Sequence, residues 1–274
     1  MRDESLPFHV LRPFERFAFR AMRFVNEGAG AGLGRFWQRF FITPTVGIFV
    51  SRRIVVRGLE RLAAIPDGAP ILLVANHRTF FDLFILGWAL IRYGGLRSRF
   101  SFPVRANFFY ENPVGLLICL VMSGGTMFPP FFRAAEKKAF NKHSLGILIG
   151  KMKQPGQLIG FHPEGTRSKT DDPYTLLPAQ PGVGELALKA RPVVVPAFIT
   201  GLTNSAGDEL KANLRRERPV YAVFGAPVEL PRFEGETRLS HHKKCADLFA
   251  ERIRALGQEE KELRLSAASP AARS

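Results

Sequence analysis

The chain has 274 residues, 46% of them hydrophobic, and a formal net charge of +15. That length buries a substantial core in one catalytic domain with terminal additions, and the charge directs the chain toward polyanions: nucleic acid, anionic lipid or a phosphorylated substrate. The hydrophobic share and 25 phenylalanines favour lipid over nucleic acid, and two widely separated cysteines, Cys119 and Cys245, exclude a disulfide framework or a thiolate zinc site and favour a reducing compartment.

In chain order, Met1-Arg2-Asp3-Glu4-Ser5 leads straight into mixed charge and does not read as a cleavable signal. Phe14, Phe17, Ala18, Ala21, Met22 and Val25 then recur at helical spacing beside a stripe of Arg12, Arg16, Arg20 and Arg23. The pairing predicts an interfacial helix over 8–25, about 27 Å long. Glu27-Gly28-Ala29-Gly30-Ala31-Gly32 breaks it, and a second aromatic stretch, Phe36 to Ile42, follows before Pro44. Residues 1–50 are therefore read as an N-terminal membrane-associated helical hairpin, with packing of the same face on the catalytic domain as the alternative. No segment reaches the roughly 18 uninterrupted apolar residues that a spanning helix needs.

Strands are predicted over Ile54–Arg57, Ile71–Ala75, Ser101–Val104, Gln157–Phe161, Val193–Phe198 and Val220–Phe224. Helices are predicted over Leu83–Ile91, Val114–Met122, Arg133–Gly150, Val183–Ala190 and Ser240–Leu256. The apolar segment Val114–Met122 is too short to span a membrane and reads as core or as the lining of an acyl-chain pocket. The alternation gives an α/β fold, a mostly parallel sheet covered by helices, over residues 51–257. From Gln258 the chain turns charged and then Ser/Ala-rich, which predicts a disordered tail over 258–274.

Two stretches carry chemistry. In Asn76-His77-Arg78-Thr79-Phe80-Phe81-Asp82 an imidazole stands five positions before a carboxylate. On a helix those side chains point about 140° apart, and on a strand they face opposite sides. A strand-to-helix turn brings them together, and the flanking apolar runs fit one. A carboxylate on one imidazole nitrogen fixes the tautomer and leaves the other free to accept a proton; a helix-capping histidine beside a solvated aspartate is the bland alternative. In Phe161-His162-Pro163-Glu164-Gly165-Thr166-Arg167-Ser168, Pro163 ends a strand, Gly165 lets backbone approach a ligand, and Arg167 offers a planar fork for phosphate. A structural Glu164–Arg167 ion pair is the alternative there. The six histidines show no metal-ligand spacing apart from His241-His242, read as the start of a solvated helix.

The two blocks together resemble the glycerolipid acyltransferases of the 1-acylglycerol-3-phosphate O-acyltransferase family, across roughly residues 50–230. That family's Asn-His-x4-Asp block is matched by Asn76, His77 and Asp82, and its Phe-Pro-Glu-Gly-Thr-Arg block from Pro163 to Arg167. Its Gly-strand-Arg block has a counterpart in Gly125 to Arg133, and its apolar run ending in proline in Val193-Val194-Val195-Pro196. The chain departs from the pattern at Pro129-Pro130, at His162 in place of Phe, at Gln180-Pro181-Gly182 in place of a Lys before Gly, and at Arg105 in place of a frequent Lys.

The resemblance implies acyl transfer from acyl-CoA or acyl-carrier protein to a hydroxyl of a lysophospholipid, with 1-acylglycerol-3-phosphate the first expectation. His77 is the expected general base and Asp82 its partner. Arg105, Arg133, Glu164, Gly165, Thr166 and Arg167 are expected to bind the acceptor. No metal or resident cofactor is expected. Anionic membrane lipids, and not nucleic acid, are the expected partners, at the cytoplasmic face of a membrane. A lipid-ester hydrolase built on His77 and Asp82, an acyltransferase for another lyso- or glycolipid, and a non-catalytic basic membrane-binding module are the alternatives.

Overall fold

A computed structural model of the chain describes residues 7–96 and 98–268. Seven strands form one sheet: β1 (Ile54–Arg57), β2 (Ile71–Ala75), β3 (Arg99–Arg105), β4 (Met127–Phe131), β5 (Gln157–Phe161), β6 (Val193–Thr200) and β7 (Val220–Phe224). Their order is β1-β7-β6-β2-β5-β3-β4. Every neighbouring pair is parallel except β6 and β7.

The period of two along each strand divides the apolar residues between two cores. From β2, Ile71, Leu73 and Ala75 enter one core, and Leu72 and Val74 the other. The first core is completed by α1 (Pro13–Asn26) and α4 (Asp82–Arg92), the second by α8 (Pro181–Ala190) and α10 (Leu239–Ala268). The remaining helices are α2 (Ala31–Trp37), α3 (Thr43–Val50), α5 (Ala106–Phe109), α6 (Pro113–Leu117), α7 (Lys138–Met152) and α9 (Ala206–Arg215). Gly184 lets α8 lie against α10, since a Cβ there would stand 1.9 Å from the His242 carbonyl oxygen.

The six predicted strands are present. β4 is a seventh, at the sheet edge, where prolines are tolerated; its pairing with β3 shifts register between Phe102 and Val104, opposite Pro129 and Pro130. α9 is also additional to the sequence reading; Ser205 caps it by accepting from Asp208 N at 3.3 Å. The predicted Val114–Met122 helix begins as α6 and ends in a wider turn over Ile118–Met122. Leu116 and Cys119 join the first core, whereas Val114, Leu117, Val121 and Met122 face outward, so the segment is core on one side only.

Two expectations are corrected. α10 continues to Ala268, so residues 258–268 extend a helix where a disordered tail was expected. Glu259 pairs with Arg61 at 2.8 Å, and Glu260 accepts from the Tyr174 hydroxyl at 2.6 Å, which holds that extension to the domain. Residues 269–274 lie outside the described part. At the other end, the predicted helix over 8–25 is a short turn, Phe8–Val10, followed by α1, because Pro13 starts the helix at its first position.

The face of α1 is divided. Ala18, Phe19 and Met22 pack inward, Phe19 against Phe128 and Phe140, whereas Phe17 and Phe24 are 60% and 56% exposed. Glu15, buried, meets Lys137 Nζ at 2.6 Å and ties α1 to the catalytic domain. α2 runs through a wide turn (Gln38–Ile42) into α3, anchored by Trp37 Nε1 donating to the Val121 carbonyl at 2.7 Å. No described helix is long and apolar enough to cross a membrane.

Candidate active site

The site lies beyond the C-terminal ends of β2 and β5, which are neighbours in the sheet. Asn76, fully buried, exchanges two 2.8 Å hydrogen bonds with the Ile199 backbone and fixes the end of β2 to β6. The chain then turns, and Asp82 opens α4. The turn is organised by that carboxylate. Asp82 Oδ2 accepts from the backbone N–H of Arg78 at 2.6 Å and of Thr79 at 2.7 Å, and Oδ1 accepts from the Thr79 hydroxyl at 2.6 Å. His77 Nδ1 stands 3.4 Å from Asp82 Oδ2. Strand, turn and helix thus bring the five-apart pair together.

Asp82 is buried, which pushes its carboxyl pKa upward, while His162 and the Thr79 and Arg78 donors act against that shift. Burial pulls the His77 pKa down to about 3, and the charges of Arg167 and Arg105 add to the effect. His77 is therefore a neutral imidazole at neutral pH, with Nε2 free to accept a proton when Nδ1 faces Asp82.

The second motif is built against the first. Glu164 Oε1 accepts from His77 N at 2.9 Å, and Oε2 from Leu177 N at 2.7 Å. Ser168 N donates to the His77 carbonyl at 2.9 Å. Both oxygens of Glu164 thus hold backbone, which makes it a clasp that shapes the turn, and the pairing with Arg167 weighed as an alternative is not formed. Gly165 has φ +64°, and a Cβ there would meet Gln180 Cγ at 3.2 Å. Its carbonyl accepts from Arg105 Nη2 at 2.8 Å. Arg167 Nη1 donates to Asn204 Oδ1 at 2.9 Å, an oxygen that also accepts from Phe80 N at 3.0 Å. Thr166 is half-buried in the same turn. Arg133 follows β4 and is exposed. Burial and the charges of Arg133 and Arg167 lower the Arg105 pKa, so the three guanidinium groups share one neighbourhood. Arg105, Arg133, Gly165, Thr166 and Arg167 lie in or beside this turn, and Glu164 holds its backbone.

Three residues join the site without having been assigned a role from sequence. Arg78 Nη1 donates to the hydroxyls of Ser168 and Thr170, both at 3.1 Å, joining the two motifs. Asn204 orients Arg167 and carries no local sequence signal. His162, visible as a departure from the family pattern, stacks on His77 with its Nδ1 3.0 Å from the Ala75 carbonyl oxygen. Burial lowers its pKa to about 3, helped by His77 and opposed by Asp82.

His77, Asp82 and His162 place ligand atoms within 4.8 Å of one another, the one such trio among the described residues. The two rings are 6° from parallel, however, and parallel in-plane lone pairs do not converge on one point. The arrangement suits a base and its orienting acid. Neither cysteine suits nucleophilic work: burial raises the pKa of both Cys119 and Cys245 to about 12. Ser168 Oγ is held by Arg78, and Ser123 Oγ donates to the Cys119 carbonyl.

An imidazole and a buried carboxylate at a strand-turn-helix junction, beside an arginine cluster, suit acyl transfer, and the match to a family model gives that class. Residues 53–200 match the acyltransferase family model. The chain belongs to that family and is an enzyme of acyl transfer. It is also similar to the crystal structure of the 1-acyl-sn-glycerophosphate (LPA) acyltransferase PlsC from Thermotoga maritima, at 17% identity over 87% of this chain and 93% of that one, with a TM-score of 0.48.

Proposed function

We propose that the protein transfers a fatty acyl group from an acyl thioester, acyl-CoA or acyl-carrier protein, to a free hydroxyl of a lysophospholipid, with 1-acylglycerol-3-phosphate the leading acceptor. The observation that carries this reading is the neutral His77 imidazole, 3.4 Å from Asp82, facing a site where Arg105 and Arg167 are close enough to depress its pKa. Those cations suit the acceptor phosphate.

In the reaction, His77 Nε2 takes the acceptor hydroxyl proton as the oxygen attacks the thioester carbonyl. The tetrahedral intermediate collapses by breaking the carbon–sulfur bond, and the imidazolium returns the proton to the departing thiolate. Asp82 stabilises the imidazolium and keeps Nδ1 as its N–H side. The ester product, the free thiol and a neutral His77 result, with no covalent acyl-enzyme and no metal or resident cofactor in the route.

Residues 1–50 are proposed as the membrane-docking segment, at the cytoplasmic face. Phe36, Phe40 and Phe41 are exposed on α2 and its wide turn, and Leu117, Val121 and Met122 are exposed on the element to which Trp37 binds. Such a contiguous apolar surface, on a chain of net charge +15, suits an anionic bilayer. Mass spectrometry of products from purified protein given mixed lysolipids with acyl-CoA or acyl-carrier protein donors tests the whole reading. A new diacyl lipid with consumption of thioester supports it; free fatty acid released from lipid ester points to the hydrolase, and binding without turnover to the non-catalytic module.

A further inference from the structure

The end of the sheet remote from His77 carries a second polar cleft. β3 and β5 begin side by side, Arg99 opposite Gln157. Their first residues open onto a cleft of about 780 Å3 bordered by α1, α2 and α7. Gln157 and His162 are five positions apart, about 16 Å along the strand.

Arg23, Arg35, Arg99 and Lys151 line this cleft. Glu27, paired with Arg23 at 3.2 Å, is its one carboxylate among the described residues. Lys151 is 5% exposed, and its Nζ reaches only neutral oxygens at hydrogen-bond distance, Ser101 Oγ at 3.1 Å and Asn26 Oδ1 at 3.3 Å. Burial and the Arg99 charge pull its pKa down to about 7, and Glu27 acts in the opposite sense. Arg99 gives Nη2 to the Val25 carbonyl at 2.8 Å, but its buried Nε has no partner. Gln157, 9% exposed, has a buried Oε1 with no donor. A buried donor and a buried acceptor left unmatched are each costly. A phosphate ester that also bears a hydroxyl satisfies both: oxyanions for the guanidinium and ammonium groups, and an O–H for Gln157.

We propose that this cleft binds a glycerol-phosphate headgroup, its phosphate on Arg99, Arg35 and Lys151 and its hydroxyl on Gln157 Oε1, at a site separate from the acceptor clamp. Phe24 and Phe36, exposed on α1 and α2, point to a membrane phospholipid as the source; a soluble phosphate ester shares the headgroup chemistry. Binding there ties α1, α2 and α7 to the sheet and stabilises the fold by mass action.

The test uses the full chain carrying Arg167→Ala, so that the acceptor clamp does not report. It is titrated with glycerol 3-phosphate, and separately with phosphatidylcholine vesicles that contain or lack phosphatidylglycerol. Hydrogen exchange of α7 and the start of β3 is read together with the unfolding midpoint. Protection by glycerol 3-phosphate identifies a soluble ligand, and protection only by phosphatidylglycerol vesicles identifies a lipid; both support the site. Arg99→Gln is expected to weaken binding about tenfold or more. Arg35→Gln, at an exposed position that leaves the fold intact, is expected to do the same. Protection unchanged by Arg35→Gln, or no protection of α7 by any of these probes, overturns the proposal. The readout is binding, so it stands whether or not the proposed acceptor is the true one.

Discussion

The imidazoles of His77 and His162 stack face to face, 3.8 Å between centroids and 6° from parallel. Two cationic rings at that separation repel, so the pair holds at most one proton when the site works. His162 is fixed by its Nδ1–Ala75 contact and, with its pKa near 3, stays neutral. When His77 accepts the acceptor proton, the imidazolium lies on a neutral π face. His162 therefore acts as a positioning residue. His162→Phe, which keeps a flat ring, is expected to retain most of kcat. His162→Ala is expected to lower kcat about tenfold or more with little change in KM, because the base loses its support. Steady-state kinetics on both variants checks this; equal, full activity of the Ala variant would remove the role.

His77→Ala is expected to lower kcat/KM by about 10²–10⁴-fold with the fold retained. Asp82→Asn is expected to be severe for two reasons. The imidazolium loses its counter-charge, and the turn loses a carboxylate that accepts from Arg78, Thr79 and the Thr79 hydroxyl. Thr79→Val separates them. It removes one donor to Asp82, so a loss of thermal stability with kcat largely kept marks the turn contribution, and the remainder of the Asp82→Asn loss belongs to the charge.

The depressed histidines also set a pH dependence of stability. His77 and His162 titrate near 3 when folded and at 6.5 as ordinary histidines, so between those values the unfolded chain binds more protons. Stability is then complete above about 6.5 and falls as pH drops toward 3, with a slope of at most about 1.4 kcal/mol per pH unit for each histidine. Urea midpoints measured across that window should fall with acid, and His162→Phe should flatten the slope. The same shift keeps His77 in its basic form, so kcat/KM should show no loss near pH 6 from protonation of the free enzyme's base. A sharp acid limb in kcat/KM centred at 6.5, with no matching change in any assay of fold, would contradict a depressed His77.

Glu164 makes a different prediction from its neighbours. Its two oxygens hold His77 N and Leu177 N, and burial pushes its pKa upward. Glu164→Ala leaves two backbone donors unmatched and should cost about 1–3 kcal/mol of stability. Arg167→Ala should instead raise the acceptor KM more than the donor KM and leave the unfolding midpoint nearly unchanged. Arg167→Lys should rescue little, since an ammonium lacks the planar fork that binds phosphate with two parallel bonds.

Much of this arrangement is legible in the sequence because its signals are local. β2, β6 and β7 are short apolar runs, and a strand-to-helix turn joins the His77–Asp82 pair where neither a regular helix nor a regular strand does. β4 has no strand signal of its own, since Pro129-Pro130 interrupt its apolar run, and only the resemblance to a Gly-strand-Arg block points to it; the prolines are tolerated because the strand lies at the edge. α9 has a capping serine but few apolar residues, so periodicity does not reveal it. The stacking of His162 and the clasp made by Glu164 depend on β2 and β5 being neighbours, a tertiary fact that no local pattern carries. The division of the α1 face has the same origin: periodicity finds an apolar stripe but does not say which side of it meets the core.

That division decides how the membrane reading must be tested. Removing residues 1–45 would delete Phe19 from its packing on Phe128 and Phe140, and would strip Glu15 from the buried Lys137. Loss of a buried Phe costs about 3–5 kcal/mol and an unpaired buried charge about as much, so the truncated chain is expected to unfold and to report nothing about anchoring. Substitution of outward side chains avoids this. Phe36, Phe40 and Phe41 are 52%, 56% and 45% exposed. Their replacement by Ser should leave the unfolding midpoint within a few degrees of the parent. It should weaken binding to anionic liposomes at every salt concentration, because apolar insertion is not screened. Replacing the exposed Arg12 and Arg20 by Gln should weaken binding chiefly at low salt, where the Debye length is longest. Activity on a bilayer-embedded acceptor should fall with binding in both sets, while activity on a short-chain soluble acceptor is kept. Liposome affinity unchanged in the triple Phe variant, with the fold intact, would show that the exposed aromatic surface is not the anchor.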